Sequence, residues 1–173
     1  CSGLTFNNEA VLILSEDAHV SFKKCAKILG IEDKNIFFVQ TDEDGSMHIP
    51  SFIKLLNSLI DNGKKIFAVV ATFGTTIRGA LDPLNEIGNI CKEKKIWFHI
   101  DASIGGVFLI ENNKFDNMNY FNLSYANSIT INPQKLLGIA KTSSLLLVSD
   151  IDNLKNTFKT GLPYVDSADG VIN

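Results

Sequence analysis

The chain has 173 residues, 45% of them apolar, and a formal net charge of -3. That length suffices for one good core, and the balance describes a soluble globular protein with no basic stripe for nucleic acid and no apolar run near a membrane span. Its three cysteines, Cys1, Cys25 and Cys91, are widely spaced and form no CxxC, as expected of reduced thiols in a cytoplasm rather than a disulfide framework.

Taken in chain order, apolar strands alternate with amphipathic helices. Val11 to Leu14 reads as a short strand, Val20 to Leu29 as a helix stopped by Gly30, and Ile36 to Val39 as a second strand. Pro50 opens a helix reaching about Ile60, Asn62-Gly63 ends it, and Ile66 to Thr72 is a continuous apolar strand of the kind buried on both faces. Asp82-Pro83 reads as a cap and first-turn proline for a helix running to the Lys92-to-Lys95 cluster. Strands from Ile96, over Ser128 to Ile131 and over Thr142 to Val148 follow, then a helix near Asp150 to Phe158 and a Gly- and Asp-containing tail. Strand-helix-strand units in series predict an α/β fold of three layers, a mostly parallel sheet with flanking helices and right-handed crossovers. No repeat, low-complexity tract or linker interrupts it.

Chemistry-bearing residues collect where those strands end. After Ser128-Ile129-Thr130-Ile131, Pro133 removes an amide donor and biases Asn132 away from helix, so Lys135 projects from a stiff turn between apolar segments. Burial there would favour the neutral amine, the form that attacks a carbonyl, whereas an isolated loop lysine is ordinarily solvated. Asp101 closes the Ile96-to-Ile100 strand ahead of Ala102, Ser103 and the Gly105-Gly106 pair. Ligands of open α/β sheets bind beyond such carboxyl ends, although an aspartate there also serves as a helix cap. The segment Gly74-Thr75-Thr76 to Asp82 offers glycines and hydroxyls in the spacing of no phosphate loop. His19 follows the first strand beside Asp17, where an isolated histidine is more often a surface or capping residue. His48 reads as solvated. By the two-residue period His99 shares a face with Asp101, either supporting it or packed in the core. The absence of GxSxG and HExxH argues against hydrolases, and nothing calls for a metal.

Four segments, Ala18-His19-Val20-Ser21, Gly74-Thr75-Thr76 through Gly79-Ala80-Leu81-Asp82, Trp97-Phe98-His99-Ile100-Asp101-Ala102 and Asn132-Pro133-Gln134-Lys135, are each weak signals alone. In their order and spacing the chain resembles the group II pyridoxal-phosphate-dependent amino-acid decarboxylases, the glutamate, cysteine-sulfinate and aromatic amino-acid decarboxylase group, from about Glu16 to about Ser149. The resemblance implies an incomplete fold-type-I large domain, pyridoxal 5'-phosphate as cofactor, and α-decarboxylation of an L-amino acid by a cytoplasmic homodimer, with an acidic substrate favoured. It makes Lys135 the lysine that holds the cofactor and Asp101 the partner of the pyridine nitrogen. His19 would lie on the ring face, Thr76 on the other side, Asn132 at the phosphate, and Ala102 and Ser103 where the ring comes close to backbone.

Two positions depart from the family pattern, which has histidine at Gln134 and usually alanine at Ser103; the resemblance keeps Gln134 among the cofactor-binding residues, since an amide keeps hydrogen bonding although it cannot titrate. Because family members are far longer, residues 1–173 are expected to be the central and C-terminal part of the cofactor-binding large domain, with the small C-terminal domain absent. Arg78, the only arginine, is the local candidate to pair with an acidic substrate, against an ordinary solvated role. Two alternatives stand beside the decarboxylase: another fold-type-I pyridoxal enzyme such as a carbon-carbon lyase or aminotransferase, and an inactive fragment that only binds a partner.

Overall fold

Strict alternation along the first strand, β1 (Ala10–Ser15), sends Val11 and Ile13 to one face and Leu12 and Leu14 to the other, and the rest of the sheet follows that division. The computed structural model describes residues 10–110, 123–140 and 143–159. The remaining strands are β2 (Ile36–Val39), β3 (Lys65–Thr72), β4 (Trp97–Asp101), β5 (Ser128–Ile131) and β6 (Leu145–Val148), in the order β2-β1-β3-β4-β5-β6. β1 to β5 are parallel as expected; β6 pairs antiparallel with β5. The last strand therefore begins later than the expected Thr142, which itself lies outside the described residues, as do Cys1, Lys141 and the tail from residue 160.

The helices are α1 (Ser21–Ile28), α2 (Ile49–Asp61), α3 (Leu84–Lys94), α4 (Gly106–Ile110) and α5 (Ile151–Phe158). On one face Val11, Ile13, Val69, Ala71, Phe98 and Ile100 pack with Phe52 and Leu56 of α2 and Leu84, Ile87 and Cys91 of α3. Each fully buried Val, Leu, Ile or Phe among them contributes about 1.5–3 kcal/mol of transfer free energy. Burial also pushes the Cys91 thiol up to about 12, keeping it an unreactive thiol. On the other face Leu12, Leu14, Ala68 and Val70 meet Ala26 and Phe22 of α1. This face turns polar toward β4 and β5, where the register aligns Val70, His99 and Ser128 in one row and Thr72, Asp101 and Thr130 in the next.

One sequence expectation fails at α3. Its first turn follows Pro83 with no side-chain cap, because the Asp82 carboxylate is taken up elsewhere. Its two oxygens accept from the backbone amides of Met47 at 2.7 Å and Thr72 at 2.6 Å, buried donors that would otherwise lack a partner. Burial raises the Asp82 pKa from 3.8 to about 6, outweighing those two hydrogen bonds, with Asp17 and Asp42 adding to the rise.

Candidate active site

From β1 the chain crosses to β2 on one side and later to β3 on the other, so the sheet has its topological switch point between β1 and β3, where open α/β sheets hold ligands. A cavity of about 210 Å³ lies there, and every strand from β1 to β5 except the edge strand β2 delivers residues to it from its carboxyl end. Asp17, His19 and Ser21 come from the β1 side, Thr72, Gly74 and Thr76 from β3, Asp101, Ser103 and Ile104 from β4, and Asn132 and Lys135 from β5.

The local chemistry orients these groups. His19 is exposed, and its Nδ1 accepts from the Ser21 amide at 3.3 Å and meets Ser21 Oγ at 2.8 Å, which fixes the ring at the first turn of α1 and leaves the proton of the neutral form on Nε2. Asp101 is 8% exposed and its Oδ1 accepts from the Ser103 amide at 3.1 Å. Among the described residues no lysine or arginine forms an ion pair with it. Asn132 Oδ1 accepts from Ser144 Oγ at 2.6 Å, which leaves its amide N–H groups as donors. Gly74 takes φ +96°, and a Cβ there would stand 3.0 Å from the Gly105 amide nitrogen, while one on Gly105 would run into the Phe73 carbonyl. Two glycines thus let the turns after β3 and β4 close on each other beside the cavity, joined by the Gly105 amide donating to Phe73 O at 3.0 Å.

Beneath Asp101, His99 has one ring nitrogen 2.8 Å from Ser128 Oγ and the other 3.3 Å from Thr130 Oγ1, and Phe22 meets its ring edge-on. Ser128 Oγ also accepts from Trp97 Nε1 at 2.9 Å. Burial lowers the His99 pKa, against the opposing pull of the Asp101 charge, so the ring is neutral near pH 7. His99 supports the site from below and does not neutralise Asp101.

Not every expected residue reaches the cavity. Ala102 points the other way along the pleat and is fully buried in the core. Gln134 is half-buried, does not line the cavity, and its Oε1 is buried without a hydrogen bond. Thr75 is buried with its Oγ1 accepting from the Ala80 amide at 3.0 Å, a structural contact inside its own turn. Arg78 instead faces Asp17, with Nε 3.6 Å from Oδ2, and does not line the cavity. Lys135 lines the cavity but is exposed, as are Leu136 and Leu137 beside it, so the apolar burial expected around it is not supplied by the described residues. His48 is exposed, as expected, with Nδ1 2.9 Å from Ser51 Oγ. Asp17, Ser21, Thr72, Gly74 and Ile104 are lining residues that sequence reasoning did not single out as site residues; Ser21 and Gly74 stood inside the motif segments, and Thr72 carried the signal of a hydroxyl ending an otherwise apolar strand.

A parallel sheet with a lysine, a carboxylate and a histidine gathered at its switch point defines a class of cofactor-dependent α/β enzymes. The chain belongs to the pyridoxal-dependent decarboxylase family, whose conserved domain it matches over residues 2–173 and whose cofactor is pyridoxal 5'-phosphate. It is 38% identical over 152 residues to the acidic amino acid decarboxylase GADL1 of Xenopus tropicalis, covering 88% of this chain and 29% of that one. To human GADL1 it is 36% identical over 168 residues, covering 96% of this chain and 32% of the relative. Among solved structures, mouse CSAD superposes with a TM-score of 0.78 at 34% identity, covering 84% of this chain and 30% of that chain. The chain therefore spans just under a third of the length of these relatives.

Proposed function

We propose that these residues are the central part of the cofactor-binding domain of a longer enzyme that removes the α-carboxyl group of an L-amino acid as carbon dioxide, leaving the amine. The observation that carries this reading is the meeting of Lys135, Asp101 and His19 in one cavity of a chain from this family. The residues fit the cofactor: a carboxylate without an internal cation suits a protonated pyridine nitrogen, and a lysine suits a carbonyl. When bound, pyridoxal phosphate supplies a carbonyl for the substrate's amine and a conjugated ring that accepts the electron pair left by carbon dioxide.

The chain's own residues do the rest. Lys135 carries the amine that anchors the cofactor. Asp101, its Oδ1 accepting from the Ser103 amide, presents its carboxyl group to the cavity. His19, braced by Ser21 through Nδ1, has Nε2 free to donate to a group bound in the cavity, and Thr76 closes another wall. Asn132, with Oδ1 engaged by Ser144, turns amide donors to an anionic group such as a phosphate, while Ser103 stands where the ring approaches backbone. Ala102 and Gln134 contribute through packing around the site. At about 210 Å³ the cavity is below the roughly 300–1,000 Å³ usual for small-molecule sites, which supports further walls coming from other parts of the protein.

An acidic amino acid is the substrate class this reading favours, supported by the GADL1 relatives, which are named for acidic amino acids. Arg78 is not its partner of choice, being engaged with Asp17. A homodimer is part of this reading, with the site completed by parts of the protein outside residues 1–173. A cytoplasmic setting is supported by the unpaired thiols of Cys25 and Cys91, and among the described residues no helix is long and apolar enough to cross a membrane. The test is carbon dioxide release by the full-length protein from acidic, aromatic and basic amino acids. Faster release from glutamate, aspartate or cysteine sulfinate is expected; keto acid formation without carbon dioxide would overturn the decarboxylase reading.

A further inference from the structure

Thr72 ends β3 one strand away from Asp101, its register partner, so both stand in the same row of the same sheet face and both line the cavity. Thr72 is only 4% exposed, and its Oγ1 is buried with no hydrogen-bond partner. Its backbone amide is occupied by Asp82, so the residue's position is already secured without the hydroxyl. A buried, unpaired hydroxyl costs free energy that a valine of the same shape would avoid, and valine is the better strand residue. Neighbouring hydroxyls on this face, Ser128 and Thr130, are both engaged with His99. Thr72 is the one left over, and it is the one at the cavity.

We infer that Thr72 is a further binding residue of this site, its hydroxyl making a hydrogen bond to the cofactor held over Asp101. This rests on the proposed function. It differs from the roles of Lys135 and Asp101 in being invisible without the ligand: the hydroxyl does nothing for the empty protein and gains its partner only on binding.

The experiment compares full-length wild type with Thr72→Val and Thr72→Ser, reading the melting temperature of the cofactor-free protein and its dissociation constant for pyridoxal phosphate by absorbance titration. Expected are an unchanged or higher melting temperature for Thr72→Val, with affinity weakened about tenfold, and affinity within about threefold of wild type for Thr72→Ser. Unchanged affinity in Thr72→Val would overturn the inference. So would a lower melting temperature of the cofactor-free variant, whatever its affinity, because the hydroxyl would then have a structural partner. Should Thr72→Val not fold, Thr72→Ala against Thr72→Ser makes the same comparison of a residue without and with the hydroxyl. A wild-type protein that takes up no pyridoxal phosphate would overturn the proposed function together with this inference, whereas normal uptake with an indifferent Thr72→Val overturns the inference alone.

Discussion

Along β4, neighbouring residues belong to two different environments. Phe98 and Ile100 are wholly buried against the apolar layer of α2 and α3, while Trp97, His99 and Asp101 look to the other face, where Ser128 and Thr130 supply hydroxyls and α1 covers only the part nearer β1. The dry face holds the sheet together by area removed from water. The polar face gives up part of that stabilisation to hold a carboxylate, a neutral imidazole and a string of hydroxyls in fixed positions. A substitution should therefore declare its face: changes on the dry side should lower stability and spare chemistry, and changes on the polar side should do the reverse.

The largest effect is expected at Lys135. Lys135→Ala should abolish borohydride-stable pyridoxyl labelling of the full-length protein and lower turnover by roughly four orders of magnitude or more. Peptide mapping checks it, with Lys141 as the control position; label elsewhere would remove Lys135 from its role. Next comes Asp101→Asn, which keeps size and hydrogen bonding but loses the charge. At matched cofactor occupancy its turnover should fall about a thousandfold with little change in melting temperature, and wild-type turnover would show that the polar face does not act electronically.

Asp82 tests the dry side from within, since it is buried against that core through Met47. Its pKa is about 6 in the folded protein against 3.8, so the native state binds the proton more tightly, and this favourable contribution is full below pH 4 and lost as pH rises through 6. The stability advantage of wild type over Asp82→Asn should therefore shrink between pH 4 and 7, by up to roughly 3 kcal/mol. Urea unfolding at both ends of that range measures it; an advantage growing with pH would mean that the two amide hydrogen bonds dominate over burial. The smallest effects come from adjacent residues. Ile100→Val should cost about 1 kcal/mol of stability and leave turnover within about twofold. His99→Leu should change stability by a similar amount but reduce turnover severalfold and shift its pH profile, and a variant of His99 with normal kinetics would make that histidine a mere packing residue.

Much of the fold was legible because its signals are local. The apolar runs of β1 to β5, the helix opened by Pro50 and the stops at Gly30 and Asn62-Gly63 follow from propensities and periods that operate within a few residues. So does the placing of Asp101 and Lys135 at strand ends, and the motif order was enough to indicate the family. Errors arose where a side chain had a choice of distant partners. Asp82 looked like a cap because cap and proline are adjacent in sequence, yet it bonds Met47, thirty-five positions away, and Thr72.

By itself the sequence determined where β1 to β5 and helices α1, α2, α3 and α5 lie, that the sheet is mostly parallel, and which side chains sit at strand ends, since these depend on hydrophobic period and backbone chemistry close by. The tertiary structure alone decided the order of strands. Only the placing of β3 beside β1 brings the loop carrying His19 against Thr72 and Gly74, and only the register of β3, β4 and β5 sets Thr72, Asp101 and Thr130 in one row, because strand pairing joins residues far apart in the chain through backbone hydrogen bonds that are indifferent to side-chain identity.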